Sequence, residues 1–260
     1  MRSQMRRGAW LGDFDKVTLA KGMFYSAFIT ASYLLGIPLK LFEQAAYLAA
    51  ATVAVWFVVR VTRNRLLGLV LFAALAFNPV LWHPSLARVI REGLYISLSL
   101  AVVALAAAAL LVRGEGKHHS AWRLSLLILF GLVGGAFWLT REEGIWIAPA
   151  VAVLVVAAGL TEWNRRRETF ADNKSKLRSA SRIALAITVP ALAFVAVVGA
   201  VAGMNYSRYG VFMTNEFHSS GFRAAYGAIS RISHAQWQRY VVFPKDAREK
   251  AYAVSAAAQE

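Results

Sequence analysis

Apolar residues along this chain come in long blocks separated by short polar and basic stretches. The blocks run over residues 42–59, 66–82, 93–112, 124–140, 144–160 and 183–204, each close to the ~20 residues that a bilayer-crossing helix needs. Within the blocks there is no alternation. Ala101–Val112 is one uninterrupted apolar run rich in Ala and Leu, whereas a strand of a membrane barrel would alternate apolar and polar over ~10 positions. A segment surrounded by lipid must satisfy its own backbone N–H and C=O groups, and a helix does so within one segment. The pattern therefore predicts an all-α, polytopic helical membrane protein with about six transmembrane helices.

Before the first block, residues 1–41 read as a polar loop followed by an aromatic-rich apolar stretch, Lys21–Pro38. Bounded by Gly22 and by Gly36-Ile37-Pro38, it leaves ~14 helical residues, too few for a span and suited to a helix lying at the interface. Asn78-Pro79 interrupts the second block near its end, where Pro should kink or finish a helix, and His83-Pro84-Ser85 continues the turn. Gly131-x-x-x-Gly135 and Gly199-x-x-x-Gly203 each offer a flat face on which another helix could approach closely. Thr161–Arg182 is a polar linker, helical in part. Residues 205–260 change to the composition of a soluble segment: Asn205–Asn215 as loop or short strands, then amphipathic helices near Ser219–Ile232 and Lys245–Ala258. This tail has too little apolar surface for its own core and reads as part of a larger outer-side domain.

Composition strengthens the membrane reading. Apolar residues make up 58% of 260, more than one soluble core would hide. The net charge of +15 could suggest nucleic acid, but its distribution argues otherwise. Arg60, Arg63 and Arg65 follow the first block; Arg113, Lys117 and Arg123 the third; Arg165, Arg166, Arg167, Lys174, Lys176, Arg178 and Arg182 the fifth. Every second loop is basic, so the positive-inside rule makes these loops cytoplasmic. The implied partner is the lipid bilayer, not nucleic acid, and the stretch before Phe42 and the tail after Met204 fall on the outer side. No signal peptide is visible, since Gly8–Lys21 is too polar for an apolar h-region. Cysteine is absent, which excludes disulfides and thiolate metal sites.

Carboxylates are the informative minority, because at a membrane boundary they must be solvated, paired or used. Asp13, Asp15, Glu43, Glu92, Glu142 and Glu143 all fall on the outer side in this topology, together with Lys21, His83, Arg88, Arg91 and Arg141. Guanidinium groups beside carboxylates suit a phosphate-linked substrate: Arg holds the phosphate, while a carboxylate takes a proton or binds a divalent metal. The plainer reading makes them helix-end charges, Glu favoured at N-termini by the helix dipole and Arg snorkelling. His118-His119 has no partner at ligand-like spacing, and neither a nucleophile elbow, a P-loop nor a dinucleotide fingerprint occurs. Trp10, Trp56, Trp82, Trp122, Trp138 and Trp146 lie near block ends, where belt anchoring accounts for most of them.

Several motifs, in order, resemble the GT-C superfamily of polytopic glycosyltransferases, of the aminoarabinose- and mannosyltransferase-like kind. Trp10-Leu11-Gly12-x-x-Asp15-x-x-Thr18-Leu19-x-Lys21-Gly22, then Phe24-Tyr25, looks like the end of that family's first outer loop. Asn78-Pro79 and then Arg91-Glu92-x-Leu94-Tyr95 look like its outer turn with an acid opening the next span. Leu139-Thr140-Arg141-Glu142-Glu143-Gly144, with Pro149 soon after, is similar to the family's Leu-Thr-Arg-Pro-Glu-Gly run. The resemblance covers about residues 8–160. It implies sugar transfer from a polyprenyl-phosphate donor at the outer face of a bacterial cytoplasmic (inner) membrane, with catalytic candidates Asp13, Asp15 and Glu142, and Arg91, Glu92, Arg141 and Lys21 binding the substrate. The family's early acid serves as base or as ligand to a divalent metal, so such a metal is the only cofactor implied. Two departures stand out: the family's first span and the Asp or Asp-Asp after it do not precede Trp10, and Met23 replaces the Pro expected after Gly22. The chain thus reads as a piece lacking the first span. The alternative from a different class is a non-catalytic multispanning protein, transporter-like or an assembly subunit.

Overall fold

The computed structural model describes residues 10–14, 18–112, 117–168, 173–236 and 238–259. Among these it is helical, with no strand, and the chain divides into Met1–Thr214 and Asn215–Glu260.

The first unit holds α1 (Phe24–Leu34), α2 (Leu39–Thr62), α3 (Arg65–Ala76), α4 (Glu92–Leu111), α5 (Lys117–Trp138), α6 (Ala148–Glu168) and α7 (Asn173–Tyr209). Local chemistry sets several of the boundaries. Pro38 stands at the N-cap of α2, and Arg63 ends that helix in the left-handed region (φ 55°), its N–H donating to the Val59 carbonyl. Asn64 then caps α3 by accepting from the Leu67 N–H at 3.0 Å. Five apolar segments are long enough to cross a bilayer: Leu39–Thr62, Glu92–Leu111, Ser120–Trp138, Gly144–Asn164 and Ile183–Tyr209. They contain the expected spans 42–59, 124–140, 144–160 and 183–204 nearly or wholly, and 93–112 shifted by one residue.

The block 66–82 behaves differently from the other five. Its α-helix stops at Ala76, and after Asn78 the chain forms a 3₁₀ turn, Pro79–Trp82, capped by Asn78 accepting from the Val80 N–H at 3.0 Å. The proline, lacking an N–H, cannot continue the ladder. The twelve residues of α3 rise roughly 18 Å, short of the ~30 Å hydrocarbon layer.

Helix α4 lies at the centre of the first unit, packed against α2, α5 and α6, while α5 also packs against α7. Its Ala-rich run, from Ala104 to Leu110, is buried; alanine lets neighbouring helices approach closely. Leu105, Ala108, Ala109 and Leu110 join Leu126 and Leu127 of α5 in the main cluster, flanked by Trp56 and Phe57 of α2. The two glycine motifs have opposite fates. A Cβ on Gly131 would collide with the Pro190 carbonyl oxygen and lie 2.6 Å from the Ala193 Cβ, and one on Gly135 would lie 2.8 Å from the Val197 Cβ, so α5 and α7 meet here at backbone distance. At Gly199 and Gly203 nothing described lies within 4 Å, so among the described residues that stripe makes no close approach.

The second unit contains α8 (Ser220–Ser230) and α9 (Lys245–Val254), followed by a 3₁₀ turn, Ala256–Ala258. Ser219 caps α8 through the Phe222 N–H. The Asp246 carboxylate, at the start of α9, accepts from the Ala235 N–H at 2.8 Å, and Lys250 donates to the Ser233 carbonyl at 2.7 Å. Both amphipathic helices expected in the tail are therefore present. The loop expected over Asn205–Asn215 is present only from residue 210 onward, with no strand: α7 continues through Asn205, which is buried and bonded within the first unit, to Tyr209.

Candidate functional site

The site begins with residues 10–14, which α7 holds in place. Trp10 Nε1 donates to Asn205 Oδ1 at 2.8 Å, Asn205 Nδ2 donates to the Met213 carbonyl at 2.7 Å, and the Tyr209 hydroxyl donates to the Gly12 carbonyl at 2.8 Å. Leu11, Leu19 and Met23 fill the space between, with Val201 and Val211 against them. Trp10 is thus a hydrogen-bonded packing residue. An Asn with no solvent exposure needs such partners, since an unmet amide at that depth is costly.

From this base the chain passes over the turn that ends α5. The Gly22 backbone lies so close to the Leu139 carbonyl that a Cβ would collide with it, and the Phe24 N–H donates to that carbonyl at 3.1 Å. The Gly22 N–H donates to Glu142 Oε1 at 3.2 Å. Arg91, at the N-cap of α4, places Nη1 2.9 Å from both Glu142 oxygens. One carboxylate therefore ties together the approach to α1, the start of α4 and the loop between α5 and α6. Burial pushes the Glu142 carboxyl up, but the Arg91 hydrogen bond, the N–H groups of Glu142 itself and Gly22, and the Arg91 charge outweigh it, leaving it below the usual carboxylate value.

Arg141 forms the second half of the cluster. Its Nε donates to Glu143 at 2.8 Å, its Nη1 lies 3.5 Å from Glu92, and its guanidinium sits 5.2 Å from the Tyr95 ring centroid, a cation–π contact. Tyr95 in turn stacks on Phe137 at 4.9 Å. The Glu143 hydrogen bond raises the Arg141 pKa against an opposing effect of burial, with the charges of Glu143 and Glu92 adding to the rise. The same bond holds Glu143 below its usual range.

Arg91, Glu92, Arg141 and Glu142, all inferred from sequence, are thus brought together by contact. Lys21 is exposed and adjoins Gly22. Asp13 is also exposed, its carbonyl accepting from the Thr18 hydroxyl at 3.2 Å, whereas Asp15 lies outside the described residues. Among the described residues no group of three or more His, Asp or Glu side chains is placed to hold a metal ion. From the sequence, Gly22 and Tyr95 stand only as motif positions, without a part in the site. Tyr95 follows Arg91 and Glu92 by four and three positions, the spacing that puts all of them on one helix face, and that signal was available.

A separate carboxylate, Glu43, is buried in α2. It accepts from the Tyr25 hydroxyl at 3.0 Å and from Lys40 Nζ at 2.6 Å, while Lys40 also donates to the Leu86 carbonyl at 2.7 Å. The Gly93 backbone leaves room for it: a Cβ there would lie 3.3 Å from Glu43 Oε2. Glu43 therefore has its own partners, Tyr25 and Lys40, while packing against the backbone next to Glu92.

Searches against protein-family models, curated proteins and solved structures find no match to this chain.

Proposed function

We propose that this chain is a membrane-embedded glycosyltransferase of GT-C type, or a portion of one, transferring a sugar from a polyprenyl-phosphate donor at the outer face of a bacterial cytoplasmic membrane. The observation that carries the reading is the contact cluster of Arg91, Glu92, Arg141 and Glu142, drawn from two distant motifs and met by the stretch around Gly22. In this reading Arg141 and Arg91 bind the phosphate of the donor and stabilise the charge that grows on it as the glycosidic bond breaks. Lys21, exposed beside Gly22, adds a third cation.

Glu142 is ionised at neutral pH and held by Arg91 and by the N–H groups of Gly22 and of Glu142 itself, so it is a weak base and acts as a positioning residue for Arg91. Proton abstraction from the acceptor hydroxyl then falls to Asp13 or Asp15. A divalent metal at these two acids is compatible with the chemistry.

One observation favours a second reading, a non-catalytic multispanning protein. Each guanidinium in the cluster already has a carboxylate partner, which is also what an internal clamp between helices requires. Transfer of labelled sugar from a polyprenyl-phosphate donor by the reconstituted protein separates the two readings. Arg141→Ala should lower the rate by on the order of 100-fold, and Glu142→Gln should lower it less. Unchanged rates in both variants would sink the site assignment, and no transfer by the wild-type chain would favour the clamp.

A further inference from the structure

The second unit displays an apolar surface that no described residue of that unit buries. In α8, Phe222, Ala225, Tyr226 and Ile229 recur at the spacing of one helix face, yet the helix has no buried residue. Phe217 and Phe243 extend this face instead of covering it: Phe217 packs on Phe222 at 4.7 Å, and Tyr226 on Phe243 at 6.3 Å. Phe217, Phe222 and Tyr226 are 42%, 37% and 47% exposed. Immediately before Phe243 comes an apolar tip, Tyr240, Val241 and Val242. Tyr240 sits in the left-handed region (φ 67°) and is 87% exposed, a conformation that bulky residues seldom adopt.

We infer that this aromatic face and the Tyr240–Val242 tip form a lipid-docking surface that lies in the headgroup layer of an anionic bilayer. Two features select lipid as the occupant. Between residues 216 and 243 the chain carries Arg223, Arg231 and Arg239 against the single acid Glu216, a balance that complements anionic headgroups. Arg223 borders the apolar face of α8, about 60° around the helix from Tyr226, where its guanidinium can reach headgroups while the aromatic rings enter the layer. The second feature is covalent: residues 210–219 join the end of α7 to the start of α8 and can reach at most roughly 35 Å, so a bilayer spanned by α7 is always within range. The inference rests on reading α7 as a span and is independent of the transferase chemistry.

The chain contains no cysteine, so single thiols can be placed in the full-length protein without further changes. Ala224 and Ala225 are both exposed neighbours on α8, about 100° apart around the helix, and Val195 is an exposed position within α7. A fluorophore is attached to Ala224→Cys, Ala225→Cys or Val195→Cys protein in phosphatidylcholine–phosphatidylglycerol vesicles that contain a doxyl-lipid quencher. The Val195 label should be quenched, and the Ala225 label should be quenched several-fold more than the Ala224 label, with the difference shrinking in pure phosphatidylcholine. Equal quenching at 224 and 225, or a quenched 195 with an unquenched 225, overturns the docking surface. An Ala225 label shielded from aqueous iodide but untouched by doxyl lipid would place a protein on this face and overturn it too. An unquenched Val195 label would overturn the span reading of α7, and the docking surface with it.

Discussion

Glu43 and Glu142 both hold the same short helix, and they do so in different ways. Glu43 receives the Tyr25 hydroxyl from α1, and its other side-chain partner is Lys40, three residues earlier in its own helix. Glu142 receives the Gly22 N–H just before α1 and takes its cation from Arg91, 51 residues away. The first is a local anchor: it is 6% exposed and joins α1 to α2. The second is a junction of three chain segments and borders on Arg141 and Glu92. A carboxylate needed only for structure can be satisfied by neighbours close in sequence, whereas a junction also positions groups that could meet a ligand.

Removing the anchor should be the costlier change. Glu43→Ala leaves the Tyr25 hydroxyl and Lys40 without their carboxylate, and about 2–3 kcal/mol of stability should be lost, read as a fall in unfolding temperature in detergent. Partial exposure of Lys40 keeps this below the cost of breaking a wholly buried pair. If Glu142→Ala is the more destabilising of the two, the assignment of anchor and junction is reversed.

Gly22→Ala tests the close approach on which the junction depends. The added methyl meets the Leu139 and Thr140 backbone, which cannot rotate away as a side chain would, and about 1–3 kcal/mol should be lost. Proteolysis near the start of α1 should also quicken. An unchanged unfolding temperature would show that the Gly22 backbone is not pressed against that turn.

Acid titration gives the smallest effect and the sharpest distinction. Glu142 has its folded-state pKa lowered from 4.5, so its contribution to stability is complete above that value and is lost as pH falls through the lower folded value. Below about pH 4.5 the wild-type unfolding temperature should therefore fall, and Glu142→Gln should make the slope shallower without abolishing it. Glu143, shifted in the same direction by Arg141, supplies part of the remainder. Identical slopes in the two proteins would mean that the Arg91 pair contributes nothing in solution.

The chain's own pattern of apolar residues determined where the long helices of the first unit lie and about half of their ends. Burying apolar surface and satisfying the backbone are local demands, met within twenty-odd residues, and Pro38, Asn64 and Asn78-Pro79 act through their own covalent chemistry. In the block 66–82 the break expected at Asn78-Pro79 also appears, since Pro79 lacks the donor that would continue the helix. Tertiary structure decided the rest. Gly131-x-x-x-Gly135 and Gly199-x-x-x-Gly203 are equivalent as sequence, but one meets Pro190, Ala193 and Val197 while the other meets nothing described. That Glu142 pairs with Arg91 and that Trp10 reaches Asn205 likewise follow from how the helices pack. A side chain's partner across tens or hundreds of residues depends on the angles and offsets of whole helices, and no local spacing encodes those.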